Sequence, residues 1–250
     1  MTKRKHSIPA TVAALIVVAF ALAAFQSALA QEGRTLIARG DDNYPPYEFL
    51  DDAGQPAGYN IDLLRTIAEE AGLEVEVQLG PWHAVLDDLR EGRADIVTGM
   101  YRSSARDEEF DFSHTHVVVT HSLFARKGSP IRTLEDARGT SIIVQDGDIM
   151  HDYVRETGLT DNIVTVPDQQ AALELLAGGE YDCALAGKLQ GLFHIHRSGL
   201  THLITPVGEE ILPRDYCFAV QKGNTQLLAR LAAGHTAVST AGLDTEIRSR

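Results

Sequence analysis

The chain has 250 residues, 44% hydrophobic and 23% charged, enough for one large core or two smaller ones and unlike a disordered or low-complexity sequence. Its formal charge of −13 excludes nucleic acid as a partner, because a phosphate backbone is bound by clustered Lys and Arg that this chain lacks.

The first thirty residues stand apart. Lys3, Arg4 and Lys5 precede an apolar run from Val12 to Phe25 that ends in "SALAQ", where Ala28 and Ala30 flank Leu29. Residues 1–30 read as a secretory signal peptide cut after Ala30, since the apolar run is shorter than the roughly 20 residues an uncleaved anchor needs. Removing those three basic residues leaves 19 of the 22 Lys and Arg against 35 Asp and Glu, a mature charge of about −16 that belongs to a solvated surface.

Strand and helix signals then alternate. "RTLIARG" reads as a strand, "YNIDLLRTIAEEAG" as an amphipathic helix ending at Gly72, "EVEVQLG" as a strand, "HAVLDDLREG" as a helix ending at Gly92, and "ADIVTGM" as a buried strand. This is βαβαβ, hence a parallel sheet with ligands expected at the C-terminal ends of its strands. "HVVVTHSLFARKG" runs as one long strand. A second α/β series follows: "TSIIVQDG", "IMHDYVRETG", "NIVTVPD", "QQAALELLAGG" and "YDCALAG". "DYCFAVQKG" is a third long strand before the final helix "TQLLARLAAGHTAVSTAG". Two α/β units joined by extended strands make two lobes with a cleft between them. Cys183 and Cys217 sit inside apolar strand-like runs, where a free buried thiol is the expected state.

"YRSSAR", Tyr101 to Arg106, lies just past the third strand, at the cleft edge. Arg106 there either grips a ligand carboxylate with two parallel hydrogen bonds or pairs with Asp107, Glu108 or Glu109 on a solvated turn. Arg102 is read as a surface residue. Tyr44, Phe49 and Trp82 are either cleft aromatics or core.

The stretches "DDNYPPYEFLDDAGQPAGYNIDLL", "GPWHAVLDDLREGRADIVTGM", "RSSARDEEFDFS", "IIVQDGDIMHDYV" and "LPRDYCFAVQKGN" resemble the family-3 extracellular solute-binding proteins, the polar amino-acid branch of periplasmic binding proteins, collinearly over nearly the whole mature chain. "QDGDIMHDYV", "AGKLQGLF" and "LPRDYCFAV" are more closely similar to the version that serves as the extracytoplasmic sensor of histidine kinases and diguanylate cyclases, which continues a few residues past "EIRSR". The resemblance implies an α/β fold of periplasmic binding protein type II, the Venus flytrap, with each lobe a mainly parallel sheet flanked by helices and two crossover strands. Lobe 1 is then residues 31–115 and 212–250, and hinge with lobe 2 residues 116–211. It further implies a monomeric, periplasmic, non-enzymatic receptor without cofactor, which captures a small carboxylate-bearing solute for an ABC permease or a membrane signalling protein.

Carried over residue by residue, the family's pattern implies that Asp41, Tyr44 and Tyr47 line the first-lobe wall, that Trp82 is an aromatic platform, that Gly99, Met100 and Ser103 present backbone or hydroxyl groups, and that Arg106 clamps the ligand's α-carboxylate. Gly147, Asp148 and Ile149 open a second-lobe helix, whose free N–H groups suit an anion. Two positions depart from the pattern. Asp148 replaces a hydroxyl residue at that helix start, and Gly187, followed by Lys188, stands where the family places the aspartate for the ligand's α-ammonium. Asp148 is either an N-cap or an anion beside the ligand. With Lys188 adjacent, the departures favour a carboxylate without an α-amine, while Asp148 or Asp41 as a substitute partner keeps an amino acid in an altered orientation open. A cyclohexadienyl-dehydratase-like enzyme on the same fold is the alternative, with Asp41, Asp148, His151 and Lys188 as its acid or base candidates. His114, His116, His121, His194, His196 and His202 are expected to be solvated or locally bonded rather than metal ligands, because an i,i+2 pair on a helix splays.

Overall fold

The computed structural model describes residues 34–249, so the signal peptide and its cut site lie outside the described residues. The first wing of the molecule opens with β1 (Leu36–Asp41), a small sheet of β2 (Asn43–Tyr44), β3 (Glu48–Leu50) and β4 (Pro56–Ala57), and the helix α1 (Tyr59–Glu70). It continues with β5 (Val75–Gly80), α2 (Trp82–Arg90), β6 (Ile96–Tyr101), the short α3 (Ser104–Glu109) and β7 (Phe110–Phe112). β1 pairs in parallel with both β5 and β6. Apolar residues three and four apart give α1 a fully buried face of Ile61, Leu63, Leu64 and Ile67, of which the last three pack with Leu36, Ile96 and Phe218.

After β8 (Val117–Arg126) the second wing repeats the plan with β9 (Ile142–Gln145), α4 (Ile149–Thr157), β10 (Ile163–Val166), α5 (Gln169–Gly178), β11 (Cys183–Gly187) and α6 (Lys188–Arg197). β9 pairs in parallel with β10 and β11. Helix α5 has local start and stop signals, for Asp168 accepts the Ala171 N–H at 2.8 Å and Gly179 ends it in the left-handed region. Its apolar face, Ala172, Leu173 and Leu176, packs with Phe124, Ile143 and Ile195.

The chain returns along β12 (Ile204–Gln221) and ends in α7 (Thr225–Thr240) and α8 (Leu243–Arg248) on the first wing. β8 and β12 are antiparallel, and with them the sheet runs β10, β9, β11, β8, β12, β6, β1, β5, with β7 added to β12. Each wing is therefore mainly parallel, with β7 and the small β2–β4 sheet antiparallel in the first, and the only strands that pass between the wings among the described residues are the antiparallel pair in the middle.

The sequence places the start of β12 near Asp215, whereas the strand begins at Ile204. Pro206, Gly208 and Pro213 make the intervening segment read as loop. Pro206 stays in register opposite Phe124, and the chain shifts register between Val207 and Ile211 and again between Ile211 and Arg214, so that Gly208 and Pro213 fall at the irregularities. α7 crosses α1 closely enough that a Cβ on Gly234 would lie 2.5 Å from the Ile67 carbonyl, which explains a glycine inside a helix.

Candidate functional site

The C-terminal ends of the parallel strands in the two wings face each other. β6 ends at Tyr101, and two residues later Ser103 caps α3, its Oγ accepting the Arg106 N–H at 3.2 Å. This one-turn helix aims Arg106 inward, where it is 6% exposed. In the opposite wing β9 ends at Gln145, and Gly147, with φ 69°, turns the chain into α4. Arg106 Nη2 donates to the Gly147 carbonyl at 3.0 Å and to Asp152 Oδ2 at 3.1 Å. Trp82 Nε1 donates to the same Gly147 carbonyl at 2.9 Å, with the Arg106 guanidinium 5.9 Å from the centre of its ring. Gln145 Nε2 donates to Asp41 Oδ2 at 2.6 Å and Asn43 Nδ2 to Gln170 Oε1 at 3.3 Å. Between these contacts lies a cavity of about 10 Å³, lined by Asp41, Tyr44, Trp82, Gly99, Tyr101, Gln145, Asp148 and Tyr216. That volume is close to the least that holds a water, so the wings are closed on each other.

The electrostatics of the closed site are acidic. Burial pushes the Asp41 carboxyl up to about 8 against the hydrogen bonds it accepts from Asn43 N and Gln145. Burial likewise pushes Glu48 up to about 7, although Asp41 N, Asn60 Nδ2, Thr98 Oγ1 and Tyr216 OH all point at its two oxygens. Asp148 is raised by burial and drawn back by the Arg106 charge and by the nearby N–H groups of Ile149 and Met150, without a capping hydrogen bond to them. The phenols of Tyr44, Tyr101 and Tyr216 are raised by burial and stay protonated, with Tyr44 OH and Tyr101 OH 2.5 Å apart. His121, whose ring centre is 4.8 Å from that of Tyr101, is lowered to about 3 by burial and is neutral.

Of the residues singled out in the sequence, Asp41, Tyr44, Trp82, Gly99 and Asp148 line the cavity, and Arg106 and Gly147 join its two rims. Tyr47 stacks behind Tyr44 at 6.3 Å, outside the cavity. The Met100 side chain packs in the core with Val85, Leu89 and Phe110, and Ile149 is core on the other wing. Gly187 is buried beside Tyr44, since a Cβ there would fall 2.9 Å from the Tyr44 hydroxyl and 2.1 Å from Gln190 Oε1. Lys188 opens α6 and leaves the cleft to pair with Glu210. The cation on which the reading of an amine-free carboxylate depends is therefore absent from the cavity wall. Tyr101, Gln145 and Tyr216 line the cavity without having been read as site residues. Tyr101 and Tyr216 face each other across antiparallel β6 and β12, a pairing that strand periodicity alone does not reveal.

Both cysteines are free and buried. His194 is buried on α6 while His196 is exposed, so the pair does splay, but His116 and His121 are neither solvated nor locally bonded as expected, for the ring nitrogens of both are buried without a hydrogen-bond partner. Among the described residues no group of three or more His, Cys, Asp or Glu is placed to hold a metal ion.

Two mainly parallel wings bridged by two antiparallel strands, closing over a cavity with a buried guanidinium and an aromatic wall, define a two-lobed solute receptor. Residues 36–250 match the bacterial extracellular solute-binding proteins, family 3, and the chain belongs to that family. Among curated relatives, the L-cystine-binding protein TcyJ of Escherichia coli (strain K12) is 26% identical over 201 residues, covering 79% of this chain and 75% of the relative. A solved histidine kinase sensor domain with similarity to periplasmic binding proteins is 39% identical with a TM-score of 0.83, covering 87% of this chain and 96% of that one. An ancestral arginine-binding protein bound to arginine follows at 25% identity and a TM-score of 0.79, covering 86% and 96%. The fold is thus that of the type II periplasmic binding proteins, and these relatives are binding proteins and a sensor. Among the described residues no helix is long and apolar enough to cross a membrane.

Trp82 is the only tryptophan, and its indole bridges the rims. Its emission is expected to shift when a ligand enters the cleft and replaces Gly147 as its neighbour. Saturating binding seen by calorimetry without any change in emission would place the ligand elsewhere.

Proposed function

We propose that the mature protein is a periplasmic receptor that captures an amino acid between its lobes and holds the α-carboxylate on Arg106. The observation that carries this reading is the state of Arg106, buried at the strand ends, with Nη1 on the Tyr101 carbonyl of its own wing and Nη2 on the Gly147 carbonyl and the half-exposed Asp152 carboxylate of the opposite wing. A ligand carboxylate offers the same fork two better acceptors and leaves Asp152 to solvent. The similarity to a histidine kinase sensor domain at 39% identity, against 26% for the cystine-binding relative, favours delivery of the signal to a membrane partner over delivery of the solute to a permease. The dehydratase-like alternative finds no support in relatives that are binding proteins, and the function proposed is binding without catalysis.

In this reading lobe 1 comprises residues 31–115 and 212–250, and lobe 2 residues 116–211. They swing about the segments 116–120 and 212–216, which pair with each other through Val117 with Tyr216 and Val119 with Arg214. A thermal-shift screen of leader-free protein against the common L-amino acids tests the binding, because a ligand at a hundred times its Kd raises stability by about 2.7 kcal/mol. X-ray scattering tests the swing. The radius of gyration is expected to fall when the stabilising amino acid is added, and an unchanged value at saturation rules out hinge closure.

A further inference from the structure

We infer that Asp148 is the counter-ion for the α-ammonium of the ligand, taking over the part that Gly187 cannot play, and that the receptor therefore requires an amine and refuses the deaminated acid. This rests on the reading of the cleft as an amino-acid site and names which residue meets the positive end.

Three carboxylates are buried around the cavity, and two are spoken for. Asp41 accepts the Asn43 N–H with Oδ1 and Gln145 with Oδ2. Glu48 accepts two hydrogen bonds at each oxygen. Asp148 is 5% exposed and lines the cavity, and its Oδ2 has no hydrogen-bond partner, the one such buried carboxylate oxygen among the described residues. A buried acceptor left without a donor is costly, and natural proteins keep one mainly where a ligand or water completes it. Gly147, with φ 69°, turns the chain into α4 and leaves Asp148 at the helix start, near the Ile149 and Met150 N–H groups but without a capping hydrogen bond, where it also lines the cavity.

The surroundings suit a cation. Tyr44, Tyr101 and Tyr216 form a continuous aromatic wall, with ring centres 4.6 Å apart for Tyr101 and Tyr216 and 5.9 Å for Tyr44 and Tyr216, and ring faces attract an ammonium. At Gly187 the space for a carboxylate is already filled by the Tyr44 hydroxyl and Gln190. Lys188, which would repel an ammonium, is held outside by Glu210. An amine-free carboxylate entering this cavity would satisfy Arg106 and leave Asp148 buried and repelled.

The test is calorimetry of leader-free protein with each common L-amino acid beside its deaminated 2-oxo acid, repeated on Asp148→Asn. Asparagine is as good a helix cap as aspartate, so this variant is expected to melt no lower than the wild type. On the wild type the 2-oxo acid is expected to bind about a hundredfold more weakly than its amino acid or worse, and Asp148→Asn is expected to erase that preference. Equal binding of amino acid and 2-oxo acid, or a preference that survives in Asp148→Asn, overturns the inference while leaving capture by Arg106 intact. Binding of neither compound by the wild type overturns the amino-acid reading itself, and this inference with it.

Discussion

Arg106→Ala lowers affinity for the captured amino acid by roughly thirtyfold to a thousandfold, the equivalent of about 2–4 kcal/mol for a desolvated, forked charge contact. The fold survives the change. Asp152 is already half exposed and rehydrates, and the Gly147 carbonyl keeps the Trp82 indole as its donor. Arg102, four residues away, is the internal control. It pairs with Asp107 at 2.9 Å with about half of its side chain in solvent, so its replacement by alanine removes an interaction worth about 0–1 kcal/mol and leaves binding unchanged. Calorimetry of the two variants side by side checks the contrast, and equal affinities for Arg106→Ala and wild type would return Arg106 to the role of a strut between the wings.

Glu48→Ala is expected to lower the stability of the first lobe by about 3–5 kcal/mol, because it strips the acceptor from four buried donors at once. Those donors come from β1, α1, β6 and β12, which makes this carboxylate the node at which the strand ends are fixed beneath the cavity. Glu48→Gln keeps the shape, costs less, and changes the response to pH. Folded Glu48 titrates at about 7 and Asp41 at about 8, both above their ordinary 4.5 and 3.8. A carboxyl raised on folding contributes stability that is fully present below its unfolded value and lost as pH rises through its folded value. The melting temperature is therefore expected to decline from about pH 5 to pH 8. Acids lowered on folding, such as Asp182 under its bonds from Ser141, act with the opposite sign and have gained their full effect once the pH stands above their unfolded values. Differential scanning calorimetry across this range should give a shallower decline for Glu48→Gln, and an identical slope would remove Glu48 as its source.

The fold was legible where residues repeat. The 3.6 period of α1 and α2, the apolar strands at Ile96 and Ile142, and the glycines that follow the helices all announce their elements, and each appears within a few residues of where the pattern puts it. Elements too short for a period were not legible. The small sheet β2 to β4, the one-turn α3 that aims Arg106, and α8 leave no repeating signal. The irregular first half of β12 hid behind its prolines and Gly208. Within the site, the place of Arg106 just past a strand end made it a candidate, and the family resemblance rather than any pattern of the residues singled out its role and those of Trp82 and Asp41. Tyr216 and Gln145 reach the cavity from segments far away in sequence, and only the register of β12 on β6 and the closure of the wings bring them there. The direction of Lys188 depended on one residue of strand alternation at the junction of β11 and α6, and the helix begins in time to turn it outward.

The two free thiols are shielded by the packing around them. Cys183 lies in the sheet of one wing and Cys217 on the strand that joins the other, and each is pushed up to about 11 by burial, so neither is a nucleophile while its surroundings stay packed. Their reactivity is a property of opened states alone. If the lobes close as proposed in an oxidising compartment, this burial would keep both thiols from mixed disulfides and confine such chemistry to molecules in which one wing has come apart.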